Sequence, residues 1–392
     1  MPDELPLDTE SAIWQARPHA VADTALRVIG AHPSIRDVQI YLADYPMGRL
    51  VPVTMDLDAL RIDTTPAGRA FAAQQIIAET PASPADGPYR LHLPLTVHGE
   101  RVGILSLSTD TAPAPGQTRR FTTVAATLAR AMKLADNATD TYREIRRRHH
   151  RLTLAAEMQW DLLPGRSCTC PEYRLAGHLE PAYAICGDNY DWSAAEDRLT
   201  ITVSNGMGQG TEAAMLTHLA ISTMRNARRS GASLLDQAVL ANEIIHSHHG
   251  GELNVATLLL EWDVAGGRVR AVDAGSPQLW RMRGTSVDVL KLEEQLPLGM
   301  FYDTVYTEEE FAIEPGDRLV LVSDGVHTAR SPGGDLYGSA GLPRALKATR
   351  LQDPSEAVRT LTRELLDYHE GGELLDDAVI VCLDRTPATG PE

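Results

Sequence analysis

PGDRLVLVSDGV, residues Pro315 to Val326, runs an apolar stretch directly into an aspartate beside a glycine. Leu319 to Ser323 reads as a strand, and Ser323-Asp324-Gly325 marks its end. A strand end holds a carboxylate still, and glycine lets the backbone approach a bound ion closely. Two further stretches repeat the device: Gly187-Asp188-Asn189-Tyr190-Asp191, and Asp376-Asp377 ahead of Ala378-Val379-Ile380-Val381. A single Asp-Gly pair is usually a turn, and Asp376-Asp377 alone reads equally well as a helix-to-strand turn. The joint order carries more. Carboxylates converging on one point repel one another by something on the order of several kcal/mol at low effective dielectric, and a multivalent cation relieves that repulsion. Ligands that are all oxygen suit Mg2+ or Mn2+ rather than zinc.

The surrounding region contains strand-like stretches at Leu199–Ser204, Val255–Trp262, Arg268–Asp273, Leu319–Ser323 and Ala378–Leu383. Long helical stretches intervene at Thr211–Ser230, Ser233–His248 and Ser355–His369. Strands dominate at both ends, with helices paired between them. That order predicts a mixed β-sandwich flanked by helices rather than a doubly wound parallel sheet.

A chain of 392 residues exceeds one ordinary core and predicts two domains. The formal net charge of -17 disfavours phosphate backbones and anionic lipid, so neither nucleic acid nor a membrane surface is an expected partner. Cys168, Cys170, Cys186 and Cys382 form no C-x-x-C unit, and they read as incidental thiols needing no oxidising compartment. MPDELPLDTE at the start lacks an apolar core of the secretory kind, and no apolar run is long enough to span a bilayer. A cytoplasmic location is the expectation.

Residues 11–133 alternate helix and strand: a helix at Ala20–Ile29, strands at Asp37–Ala43 and Leu50–Val53, and a helix at Ala67–Ile77. A hairpin over Arg90–Ser108 turns at His98-Gly99-Glu100, and a helix follows from Thr118. This predicts an α+β unit with an antiparallel sheet. Thr65-Pro66-Ala67-Gly68-Arg69-Ala70-Phe71 and LPLTVHGERVGILSLS (Leu93 to Ser108) resemble a GAF sensory domain. The resemblance implies a sensor that binds a small molecule or dimerises. Residues 134–163 place Ala135, Ala138, Tyr142, Ile145, His149, Leu152, Ala156 and Gln159 at alternating steps of three and four. That seam predicts one long connecting helix, paired with its twin in a parallel homodimer, the alternative being antiparallel packing against its own domains. The basic run Arg143 to Arg151, with His149 and His150, reads as a solvated helix face.

In residues 164–386 the order of motifs resembles the metal-dependent protein phosphatases of the stage II sporulation protein E type. The stretches carrying it are LAAEMQWDLLP (Leu154 to Pro164), PAYAICGDNYDW (Pro181 to Trp192), NGMGQGTEAAM (Asn205 to Met215), AGSPQLW (Ala274 to Trp280), PLGM (Pro297 to Met300), PGDRLVLVSDGV and DDAVIVCL (Asp376 to Leu383). The resemblance implies a β-sandwich flanked by helices. It implies that Asp188, Asp324 and Asp376 carry catalysis by holding metal, that Asp191 supports them from nearby, and that Gly206 offers its backbone carbonyl. It further implies two Mn2+ or Mg2+ ions about 3.5–4 Å apart that activate a water for in-line attack on phosphoserine or phosphothreonine. The implied partner is a phosphorylated regulatory protein such as an anti-sigma-factor antagonist.

The chain departs from that pattern at three places. Asn205 stands where the family has the aspartate that bridges both metals, Gln209 where a histidine is usual, and Ser276 where the family usually has histidine. An amide oxygen coordinates metal but brings no charge. Two expectations follow: a sensor-controlled phosphatase slowed by Asn205, or a pseudophosphatase that binds a phosphoprotein without turnover. His246, His248 and His249 end a helix before Gly250-Gly251, where cations suit the helix terminus rather than a metal site.

Overall fold

The computed structural model describes residues 8–81, 87–149, 152–182, 186–369 and 374–387. His150, Arg151, part of the Pro181–Trp192 stretch and the first seven residues lie outside them. The chain divides into two compact units, Met1–Arg151 and Leu152–Glu392.

The first unit runs α1 (Asp8–Gln15), α2 (Val21–Gly30), β1 (Ile35–Ala43), β2 (Arg49–Pro52), β3 (Leu60–Arg61), α3 (Pro66–Ala73), β4 (Ile77–Glu79), β5 (Tyr89–Val97), β6 (Glu100–Thr109), α4 (Pro115–Ala135) and α5 (Thr141–Arg146). Its sheet is antiparallel, in the order β3-β2-β1-β6-β5-β4. Both faces are covered, and the two-residue period of β1 shows how. Ile40 and Leu42 enter a core with α1, α2, α4 and α5, while Tyr41 and Ala43 enter a second core with Phe71 and Ala70 of α3. The β5–β6 hairpin turns through His98 at φ 50° and Gly99 at φ 86°, the left-handed pair a tight two-residue loop demands. The helix expected to reach Ile77 stops at Ala73, because Gln74 adopts the left-handed conformation and Ile77 already pairs with His92.

The single helix expected over 134–163 is not formed. α4 ends at Ala135, α5 covers six residues, and α6 (Leu154–Leu162) opens the second unit behind a Thr153 cap. Of the seam residues, Ala135, Tyr142, Ile145, Ala156 and Gln159 are buried, but inside their own units; Leu152 is half-buried, and Ala138 and His149 are exposed. Tyr142 donates to Pro18 O at 2.9 Å within the first core, and Gln159 is buried in the second unit. The apolar face read as a pairing surface is thus occupied by intramolecular packing.

The second unit continues with β7 (Ser167–Thr169), β8 (Tyr173–Glu180), β9 (Asp188–Ala194), β10 (Arg198–Gly206), α7 (Gly210–Arg229), α8 (Leu234–His249), β11 (Val255–Asp263), β12 (Arg268–Ala274), β13 (Gln278–Arg283) and β14 (Ser286–Leu290). β15 (Glu309–Ala312), β16 (Arg318–Val322), α9 (Asp324–His327), α10 (Leu342–Ala348), α11 (Pro354–Tyr368) and β17 (Ala378–Arg385) complete it. Two sheets, β15-β12-β11-β10-β9 and β14-β13-β16-β17-β8-β7, face each other. Leu199, Ile201 and Val203 of β10 meet Leu319, Leu321, Val379 and Val381 of the other sheet in the central core. α7 and α8 cover the first sheet through Leu216, Ile221 and Ile245, and α10 and α11 cover the second through Leu342, Leu346 and Leu361. The result is the helix-flanked sandwich the motif order predicts. Local caps fit it: Ser233 and Asp236 form a capping box on α8, and Gly250 ends that helix at φ 62°. None of the described helices is long and apolar enough to cross a membrane.

Candidate metal centre

β9 and β10 run antiparallel with Asp188 directly opposite Asn205. Counting outward from Val203 and Tyr190 in the central core, both side chains fall on the inter-sheet face at one end of the sandwich. The second sheet supplies Asp324, one residue past Ser323 at the end of β16, and Asp376, just ahead of β17. One carboxylate oxygen from each of Asp188, Asp324 and Asp376 lies within 4.8 Å of the others. Residues 188, 324 and 376, far apart in sequence, therefore meet where the two sheets come together.

The electrostatics of the cluster are those of an ion site. Burial, reinforced by the Asp324, Asp376 and Asp377 carboxylates, raises the Asp188 carboxyl well above the usual range. Burial and the neighbouring Asp324 push Asp376 up to about 6. Cys186 beside them is pushed up to about 12, by burial first and then by Asp376. Asp188 is 1% exposed and its Oδ2 has no hydrogen-bond partner among the described residues; Asn205, 7% exposed, has an unpartnered Oδ1. Buried acceptors left without donors, in a cluster of carboxylates, fit a hard divalent cation with oxygen ligands. The residues present therefore suit Mg2+ or Mn2+.

Asn205 and Ser276 are in contact. Asn205 Nδ2 donates to Ser276 Oγ at 2.8 Å, and Ser276 Oγ donates to Asp324 Oδ2 at 3.3 Å. Ser276 sits in the short connection from β12 to β13, which carries the chain from one sheet to the other. His327 Nε2 lies 3.1 Å from Ser276 O, and burial holds that imidazole below its usual range.

Gly206 follows Asn205 and lies tight against α7. A Cβ there would come within 2.1 Å of Thr217 Oγ1, so any larger residue would have to push the Thr217 side chain aside. Gly206 N–H donates to Gly187 O at 3.1 Å, and Gly187 holds φ 93°. The turn before Asp188 is thereby fixed against the end of β10.

Asp191 is the exception among the expected ligands. It lies three residues past Asp188 on the same strand and so faces away from the cluster, toward α7. Its oxygens accept from Arg225 Nη2 at 2.8 Å and Arg228 Nη2 at 3.0 Å. A carboxylate committed to two guanidiniums is a structural anchor, and the expectation that Asp191 serves the metals is corrected.

Two supports, Asp377 and Gln159, were given no part in the site by the sequence. Asp377, fully buried, accepts from the backbone N–H groups of Ala182 (2.8 Å), Cys186 (2.8 Å) and Gly187 (2.9 Å), and from Gln159 Nε2 (2.8 Å). Gln159 Nε2 also reaches Asp188 O at 3.0 Å. Asp377 thus ties the Asp188 turn to β17, while its neighbour Asp376 faces the cluster. The doubled aspartate was a visible signal; which of the two binds and which braces was not.

Residues 195–386 match the family model of Stage II sporulation protein E (SpoIIE). Among curated proteins the chain is similar to Protein IcfG of Synechocystis sp., 23% identical over 257 residues that cover 58% of this chain and 40% of that protein. It is also similar to Phosphoserine phosphatase RsbU of Bacillus subtilis, 21% identical over 60% of this chain and 70% of that protein. The chain thus spans less than half the length of the first of these relatives. A solved structure of the PP2C phosphatase domain and a fragment of the regulatory domain of SpoIIE from Bacillus subtilis is 20% identical, with a TM-score of 0.48 over 55% of this chain and 64% of that one.

Proposed function

We propose that this chain is a metal-dependent protein serine/threonine phosphatase acting on a phosphorylated regulatory protein, taking as premise the match of residues 195–386 to the stage II sporulation protein E family model. The observation that carries the proposal is the meeting of Asp188, Asp324 and Asp376 within 4.8 Å, beside buried acceptors without donors. Asp188, Asp324 and Asp376 would hold the divalent cation, with Asn205 Oδ1 and the Gly206 carbonyl completing the set. Mn2+ or Mg2+ bound there supplies a Lewis acid that lowers the pKa of water and neutralises phosphoryl oxygens. Without a cation the cluster could not receive its substrate, because three carboxylates repel a phosphate dianion. The chain's own contribution is orientation: Asp377 and Gln159 hold the Asp188 turn, and Ser276 steadies Asp324. The family likeness to a phosphoserine phosphatase supports phosphoserine or phosphothreonine as the bond cleaved.

We assign the first unit a sensory role. Its antiparallel sheet with helices on both faces supports the GAF-like reading, in which a small molecule would act on the phosphatase unit.

A second reading is favoured by one observation. Asn205 places an amide, tied by its nitrogen to Ser276, directly opposite Asp188 of the cluster. A neutral group there weakens the hold on cations and supports a pseudophosphatase that binds a phosphoprotein without turnover. The test is hydrolysis of a phosphoserine peptide by the full chain with and without Mn2+. Metal-dependent release of phosphate that is lost in Asp324→Ala supports the phosphatase. Absence of release, together with retained binding of the phosphopeptide, supports the second reading. Unchanged release in Asp324→Ala would defeat the site assignment.

A further inference from the structure

We propose that Asn205 and Ser276 act as one unit that makes this a centre for a single resident divalent ion in the absence of phosphate, not for a preformed pair of ions. The inference rests on the metal-dependent reading above and specifies its stoichiometry.

The amide of Asn205 has one nitrogen and one oxygen to offer. The nitrogen is committed to Ser276 Oγ at 2.8 Å, so the oxygen is the atom left to meet a cation. That Oδ1 is buried without a partner, and so is Oδ2 of Asp188, which stands opposite in the ladder. Two unpartnered oxygens on adjacent strands of one sheet define a place for one ion.

The far side of the cluster is partly committed already. Asp324 Oδ1 accepts from Gly325 N–H at 3.0 Å and Oδ2 accepts from Ser276 Oγ at 3.3 Å. Asp376 Oδ1 accepts from Asp377 N–H at 2.9 Å. Each such bond occupies one of the lone pairs that the oxygen could otherwise offer a second cation. Charge points the same way. Two dications would exceed the three carboxylates by one positive charge in a buried site, and at about 3.5–4 Å apart they require an anionic bridge between them. Asn205, a neutral amide, cannot supply one, and its link to Ser276 fixes the amide's orientation with the nitrogen toward Ser276. The relay Asn205–Ser276–Asp324 joins the two sheets by hydrogen bonds where a second cation would otherwise join them.

The experiment titrates the metal-free full chain with Mn2+ alone and reads free ion by electron paramagnetic resonance. One ion per native chain and two per Asn205→Asp chain are expected. Two ions of similar affinity in the native protein would overturn the inference while leaving a metal-dependent function standing. No bound ion would overturn the function reading as well. One ion in Asn205→Asp would show that residue 205 does not set the count. Ser276→Ala, with its fold checked by circular dichroism, separates positioning from packing: the single ion should weaken by about tenfold, the low end for a group supporting a metal ligand. Asn205→Ala should weaken it by as much or more, and the double variant no further than Asn205→Ala alone. Losses that multiply in the double variant would show that the two residues act independently.

Discussion

Asn205 stands directly across the β9–β10 ladder from Asp188, one of three clustered carboxylates, and its buried amide oxygen is unpartnered. The juxtaposition makes residue 205 the position where the chemistry of this centre is most easily changed. Replacing the amide by a carboxylate keeps the shape and adds a negative charge. Asn205→Asp is expected to raise the Mn2+-dependent rate on p-nitrophenyl phosphate at least about tenfold, equivalent to ~1.4 kcal/mol of barrier. Steady-state kinetics at saturating Mn2+ measure it, and no gain would mean that residue 205 does not limit turnover.

Asp188 and Asp191 should separate cleanly by function and stability. Asp188 is held among like charges, so Asp188→Asn relieves repulsion in the metal-free protein. The metal-free variant should be more stable by about 1 kcal/mol, roughly 2–4 °C in Tm for a unit of this size, and should lose Mn2+ binding. Asp191→Ala removes the partner of Arg225 and Arg228 and should cost about 3–5 kcal/mol, as other broken buried ion pairs do, while leaving the metal ligands in place. Calorimetry and Mn2+ titration of both variants check the contrast; stabilised Asp191→Ala would refute the anchoring role.

These two aspartates also show how far the sequence could be read. The β10, β11, β12, β16 and β17 strands and the α7, α8 and α11 helices were legible because apolar runs and glycine breaks mark them unambiguously. Asp324 and Asp376 were legible because each adjoins a strand marked by its apolar run, and Asp188 because it follows glycine in an acidic cluster. β9 was not legible as a strand, since Asp188, Asn189 and Asp191 are polar; Asn189 and Asp191 find their partners in Gln159, Arg225 and Arg228 on helices distant in sequence. Had β9 been recognised, the spacing of three would have put Asp188 and Asp191 on opposite faces. The seam through Tyr142, Ile145 and Ala156 was a true signal of burial. Periodicity does not say what covers an apolar face, and here it is each unit's own core.

Asp377 is expected to be the costliest single position near the site. Asp377→Asn keeps the volume but turns an amide donor toward the N–H groups of Ala182, Cys186 and Gly187. Losing charge-assisted bonds and leaving buried donors unpaired should destabilise the second unit by about 2–4 kcal/mol. The urea midpoint of unfolding reads this. Mn2+ affinity should fall with it, because the Asp188 turn loses its brace.

Asp273 gives a pH dependence distinct from the metal ligands. It ends β12, where burial, with Glu294 and Glu309 adding to it, pushes its carboxyl up to about 7 although Gly275 N–H opposes the shift. In the unfolded chain the same group titrates near the ordinary value of about 4. Between those values the folded state binds the extra proton, so its contribution to stability is complete below pH ~4 and is lost as pH rises through about 7. Asp273→Asn remains neutral throughout and should remove that slope. Tm measured from pH 5 to 8 in the presence of EDTA is expected to decline more steeply for the native chain than for the variant; parallel curves would show that Asp273 is ionised in the folded protein across the range.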